Sequence, residues 1–206
     1  ASPRLMWKLS SDRAAQTAYR VIVCSTRAAA LQGKGDLWDS GVVFSPAAFY
    51  AEYAGKKLAS RAQCWWRVTV YSGEECAESG IGYFEIGLLR GEDWKGTWTA
   101  MPAQSSGATM LLRREFELPS AAVRARVYVC GIGFHELFVN GEKAGDALLN
   151  PSLTDFSRRV PCCAYDVTSA VRAGKNVLGL EVAHGWNGAK QALVQAYFEC
   201  ENGEEK

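Results

Sequence analysis

His135 and His184 are the only imidazoles in 206 residues. Zinc sites and Ser-His-Asp triads need a histidine supported by partners at characteristic spacing. His135-Glu136 does not begin an H-E-x-x-H motif, because Val139 stands where the second histidine would be. A strand pattern surrounds His135, so it reads as an ordinary sheet residue. The chain has no G-x-S-x-G, no phosphate-binding loop and no dinucleotide fingerprint. Gly131-Ile132-Gly133 starts like one, but a strand pattern follows, which predicts a bulge or bend. Asp39, Asp93, Asp146, Asp155 and Asp166 supply carboxylates. Glycoside hydrolysis needs two of them facing across a cleft, and no spacing here brings two together. Asp166 reads as a cap and Asp39, in Trp38-Asp39-Ser40-Gly41, as a turn former. No catalytic residue, metal site or cofactor is expected.

Sugar binding is the chemistry the composition can support. The chain carries seven Trp, eight Tyr and eight Phe, and an aromatic ring can cover the flat apolar face of a sugar. Asp, Asn or His partners would then bond the hydroxyls. His184-Gly185-Trp186-Asn187-Gly188 has that chemistry, as does Asn150-Pro151-Ser152-Leu153-Thr154-Asp155-Phe156. The candidate sugar contacts are therefore Trp186, His184, Asp155, Asn150 and Asn187. The competing reading has Trp186 packing a sandwich while the polar residues stitch loops.

The elements that would position these residues have period two. Tyr19–Cys24, Trp66–Tyr71, Val127–Val129, Phe134–Phe138 and Leu178–Val182 are short alternating runs bounded by turn residues. This is the pattern of antiparallel strands with one buried face. Asn140-Gly141 predicts a type I′ hairpin, since both residues accept positive φ. Trp65 and Trp66, as strand neighbours, must face opposite ways. Helical signal is confined to Ala28–Leu31 and to one turn after Asp166, too little for the crossovers of a parallel sheet. The expected fold is all-β, in two blocks. Residues 1–90 fit a fibronectin-III/immunoglobulin-like sandwich, and residues 91–206 a jelly-roll β-sandwich.

Charge and cysteine use narrow the setting. Residues 1–90 carry 11 basic and 8 acidic side chains, and residues 91–206 carry 12 and 14. Neither balance rewards a phosphate backbone, so no nucleic-acid partner is expected. No apolar run approaches membrane-spanning length, so no membrane partner is expected either. Seven cysteines, two of them adjacent, do not resemble a secreted disulfide framework. They read mostly as small buried hydrophobes in a reducing, cytoplasmic setting.

The segments Ala125–Gly133, Glu136-Leu137-Phe138-Val139-Asn140-Gly141, Pro151–Phe156, Tyr165-Asp166-Val167-Thr168, Gly174–Gly179 and Gly185-Trp186 follow one another as in a known family. They resemble the N-terminal jelly roll of bacterial α-L-rhamnosidases. Gln16–Val21, Leu37–Gly41, Trp66-Arg67-Val68 and Phe84–Leu88 are similar to the fibronectin-III-like domain that precedes it. The resemblance implies a non-catalytic accessory region, inactive alone and incomplete at its C-terminal end. Its partners would be the catalytic domain of the same chain, an (α/α)6 barrel that hydrolyses terminal α-L-rhamnosides, and a rhamnose-containing glycan. A stand-alone carbohydrate-binding module and a fibronectin-like adhesion protein are the alternatives.

Overall fold

The computed structural model describes residues 2–9, 15–101, 108–185 and 190–206. The chain divides into two compact units, Ala1–Asp93 and Trp94–Lys206. No helix among the described residues is long and apolar enough to cross a membrane.

The first unit is built around β2 (Ala18–Cys24) and β6 (Gln63–Ser72), which pair antiparallel from Ala18 opposite Tyr71 to Cys24 opposite Trp65. Both are rich in β-branched and aromatic residues, which fit a half-buried pleated surface. The outer side of β2 is paired by β3 (Trp38–Asp39) and β4 (Val43–Phe44), and that of β6 by β7 (Glu75–Glu78) and β8 (Gly82–Glu85). A small second sheet joins β1 (Arg4–Leu5) to β5 (Ala51–Glu52). Val21, Val23 and Val68 point into the main core with Tyr53, Leu58 and Cys64. Ile22 and Cys24 point the other way, onto Ala30 of the short helix α1 (Arg27–Leu31). Trp66 packs on the main core and Trp65 on the α1 side. The period-two expectation for this pair therefore holds.

The second unit is a sandwich of two antiparallel sheets. One has the order β10 (Met110–Leu118), β15 (Gly174–Ala183), β12 (Phe134–Val139), β13 (Glu142–Lys143). The other has the order β14 (Cys162–Asp166), β11 (Ala122–Ile132), β16 (Gln191–Cys200), β9 (Thr99–Ala100). From β10 to β12 and again from β13 to β16, successive strands change sheet, in keeping with the jelly-roll expectation. Gly133, at φ +119°, is the bend where β11 passes the chain to β12 in the opposite sheet. Between the sheets lie Val127 and Val129 of β11, Leu137 and Val139 of β12, Leu180 and Val182 of β15 and Phe198 of β16. Phe116 and Phe198 stack across the two layers at 4.8 Å and 21°. Asn140 and Gly141 both have positive φ, 52° and 93°, and close the β12–β13 hairpin as the sequence predicts. The turn after Asp166 also forms, with Val171 N–H bonded to Val167 O at 3.2 Å.

Candidate functional site

Three of the five sugar-contact candidates are described, and two of them, Asn150 and His184, flank the start of β12 on opposite sides. His135, near the start of β12, stands between Val182 of β15 on one side and Asn150 on the other. Its backbone N–H donates to Asn150 O at 2.7 Å. Asn150 Nδ2 donates to Tyr165 Oη at 3.1 Å, and Tyr165 Oη lies 3.1 Å from His135 Nε2. The amide and carbonyl of Asn150 are thus both used inward, where they anchor the loop ahead of the cis Asn150–Pro151 peptide. Asn150 thus anchors this loop.

His135 is only 3% exposed, and this burial pushes its pKa down to about 4. Desolvation disfavours the charged ring, so His135 is neutral at physiological pH. Among the described residues its Nδ1 meets no hydrogen-bond partner. Burial also raises the Tyr165 phenol above its ordinary value, with the Asn150 bond opposing. Neither group is poised for proton transfer near neutrality.

His184 follows β15 and is exposed. Its Nε2 lies 3.1 Å from Lys190 Nζ, which also donates to Ala108 O at 2.6 Å. An ammonium only donates, so His184 Nε2 is the acceptor in this contact. Lys190 itself is buried. The next residue, Gly185, has no room for a side chain, because a Cβ there would stand 2.9 Å from Gly133 Cα. This contact sets His184 beside the start of β12, across that strand from Asn150.

Asp155 is not drawn into this arrangement. Its Oδ1 accepts from Ser157 N at 3.0 Å and Ser157 Oγ at 2.6 Å, and its carbonyl accepts from Arg158 N and Arg159 N. It closes its own turn. Trp186 and Asn187 lie outside the described residues. Sequence reasoning missed Tyr165 and Lys190. Tyr165 could have been found from the alternation of β14, which turns Cys163 and Tyr165 to the same side. Lys190 leaves no local signal.

Asp39, Asp93 and Asp166 also serve local turns or ion pairs. Asp39 Oδ1 accepts from Gly41 N at 3.0 Å, and its carboxylate receives Arg20 in a two-point pair. Asp166 Oδ1 accepts from Thr168 N at 3.0 Å and pairs with Arg126 at 2.7 Å. The Ser60 hydroxyl and the Leu89 and Arg90 amides hold the Asp93 carboxyl below the ordinary range. A cleft of about 640 Å³ opens between the layers of the second unit, against Leu112, Leu178, Val194 and Phe198, with Arg114 and Gln195 also on its wall. Among the described residues no carboxylate side chain lines it. The site can therefore hold and orient polar groups, and the described residues bring no acid–base pair together in it.

Comparison with known proteins agrees with this architecture. Residues 120–205 match the model of the α-L-rhamnosidase N-terminal domain, and residues 1–90 that of the Rha78A-like N-terminal immunoglobulin domain. An α-L-rhamnosidase of Formosa agariphila is 31% identical over 96% of this chain and 23% of its own length. One from Alteromonas sp. is 36% identical over 90% of this chain and 22% of its own. The chain thus spans under a quarter of the length of these relatives. The solved α-L-rhamnosidase from Dictyoglumus thermophilum superposes with a TM-score of 0.89 at 31% identity, over all of this chain and 26% of that one. The enzyme from Aspergillus terreus, at 20% identity and a TM-score of 0.83, shares the fold.

Proposed function

The two halves of this chain belong to the N-terminal domains of the α-L-rhamnosidases, and we propose that it forms the accessory, non-catalytic region of an enzyme that hydrolyses terminal α-L-rhamnosides. Its work is to pack on the catalytic domain and to assist substrate recognition from the rim that carries His184. The observation that carries this reading is the pairing of both family domains with carboxylates committed to local turns. Asp39, Asp93, Asp155 and Asp166 each close backbone amides or ion pairs close by, whereas glycoside hydrolysis needs two facing carboxyl groups.

An assay of this chain on a chromogenic α-L-rhamnoside tests the first part. No turnover is the expected result, and clear turnover overturns it. Titration with L-rhamnose while recording amide NMR shifts tests the second. Shifts confined to the chain around His184 and Gly185 are expected. Their absence at millimolar sugar would leave packing as the only role.

A further inference from the structure

The strand register places two thiols face to face. Cys130 of β11 stands directly opposite Cys162 of β14, the edge strand of its sheet. Directly opposed residues of an antiparallel pair point to the same face. Their Cα atoms lie ~4.5–5.5 Å apart, inside the span of about 4.4–6.8 Å that a disulfide bridges. The other cysteines lack such a mate. Cys24 faces Trp65, Cys76 faces Tyr71, and Cys163 faces Val129 on the core side of the sheet. Cys130 is buried, and Cys162 is exposed on the same face. The neighbouring Cys162 lowers the Cys130 thiol, while Cys130 and burial raise that of Cys162.

We infer that Cys130 and Cys162 form a redox-modifiable dithiol that closes to a cross-strand disulfide on reaction with a low-molecular-weight disulfide. The reaction runs in two exchanges. The exposed Cys162 thiol gives its proton to solvent base as its sulfur attacks one sulfur of oxidised glutathione, forms a mixed disulfide and expels one glutathione thiolate. The Cys130 thiolate then attacks Cys162 Sγ, forms the internal S–S bond and expels the second. Two protein thiols are oxidised, one glutathione disulfide is reduced to two thiols, and the protons pass to the leaving thiolates. The new bond fastens the edge strand β14 to β11 and closes the chain segment that holds β12, β13 and the Asn150 loop.

The test equilibrates the chain in oxidised and reduced glutathione buffers, followed by intact mass and peptide mapping without reductant. The expected product has lost two hydrogen atoms, shows the Cys130 and Cys162 peptides joined, and reverts with dithiothreitol. Closing a loop of this length should raise Tm by roughly 5 °C or more. Cys163→Ser, whose side chain points to the other face, should still form the bridge, and Cys162→Ser should not. The inference is overturned by a stable glutathione adduct on Cys162 that Cys130 does not displace. Joining of Cys162 to Cys163, or unchanged thiols in the most oxidising buffer, would equally overturn it.

Discussion

Asn140 Nδ2 donates to Asn176 Oδ1 at 3.0 Å, and this bond ties the β12–β13 turn to the chain entering β15. Asn176 is 1% exposed, and every polar atom of its side chain is used. Its Oδ1 also accepts from Arg172 N, and its Nδ2 donates to Arg172 O and Gly174 O. Asn140 returns the favour to β15 by accepting from Val177 N at 2.9 Å. These two asparagines sit in the segments Val139-Asn140-Gly141 and Lys175-Asn176-Val177, which carry the family resemblance. Their work here is to join turns.

Asn176→Ala should therefore destabilise the second unit by about 3 kcal/mol. The substitution strands Arg172 N–H, Arg172 O and one Asn140 proton in a dry site, and a buried unsatisfied group costs roughly 1–3 kcal/mol. Urea unfolding would show a lowered midpoint with an unchanged slope. A loss under about 1 kcal/mol would mean that water replaces the side chain without cost.

What was legible in the sequence was whatever local geometry demands. Asn140-Gly141 announces its turn because few residues accept positive φ twice in succession. Trp65 and Trp66 announce opposite faces because strand neighbours alternate. Asn150 was ambiguous for the opposite reason. Its partners, His135 and Tyr165, are each 15 residues away in the chain, and register between strands is set by packing that no short window contains. The turn that Asp155 closes was legible only in part, because its carboxylate takes the Ser157 amide while its carbonyl takes that of Arg158.

Phe198→Ala should cost about 3–5 kcal/mol, the range for truncating a buried Phe. The ring is 4% exposed and stacks on Phe116 of the facing sheet. Phe198→Leu, which keeps most of the volume, should cost clearly less. Thermal unfolding of both variants checks the order, and equal losses would show that stacking itself, rather than filled volume, dominates.

Gly185→Ala should shift the chain beside His184 and cost roughly 1–3 kcal/mol, as overpacking does. The added Cβ would meet backbone, Gly133 Cα at 2.9 Å, and backbone cannot rotate aside as a side-chain tip can. Amide shifts around Gly133 and His184 would report the displacement. A variant with wild-type stability and unmoved Gly133 and His184 signals would show that this close approach is not required.

Acid should weaken the second unit before the usual carboxylates titrate, and His135 is the reason. In the folded chain its pKa is about 4, against 6.5 for the exposed ring. Between those values the unfolded chain takes up a proton that the folded chain refuses. The stabilisation is complete above pH 6.5, falls as pH drops, and is exhausted near pH 4. Linkage puts it at about 3 kcal/mol. In the first unit Asp36, Asp39 and Asp93 are held below their ordinary value of 3.8, so there they act in the same direction but lower in pH. Denaturant unfolding of the wild type from pH 7 to 4.5 should show the decline, and His135→Gln, which does not titrate, should flatten it. Should that variant fail to fold, the wild-type ring protons by NMR give the same answer. A His135 midpoint near 6.5 would remove the argument.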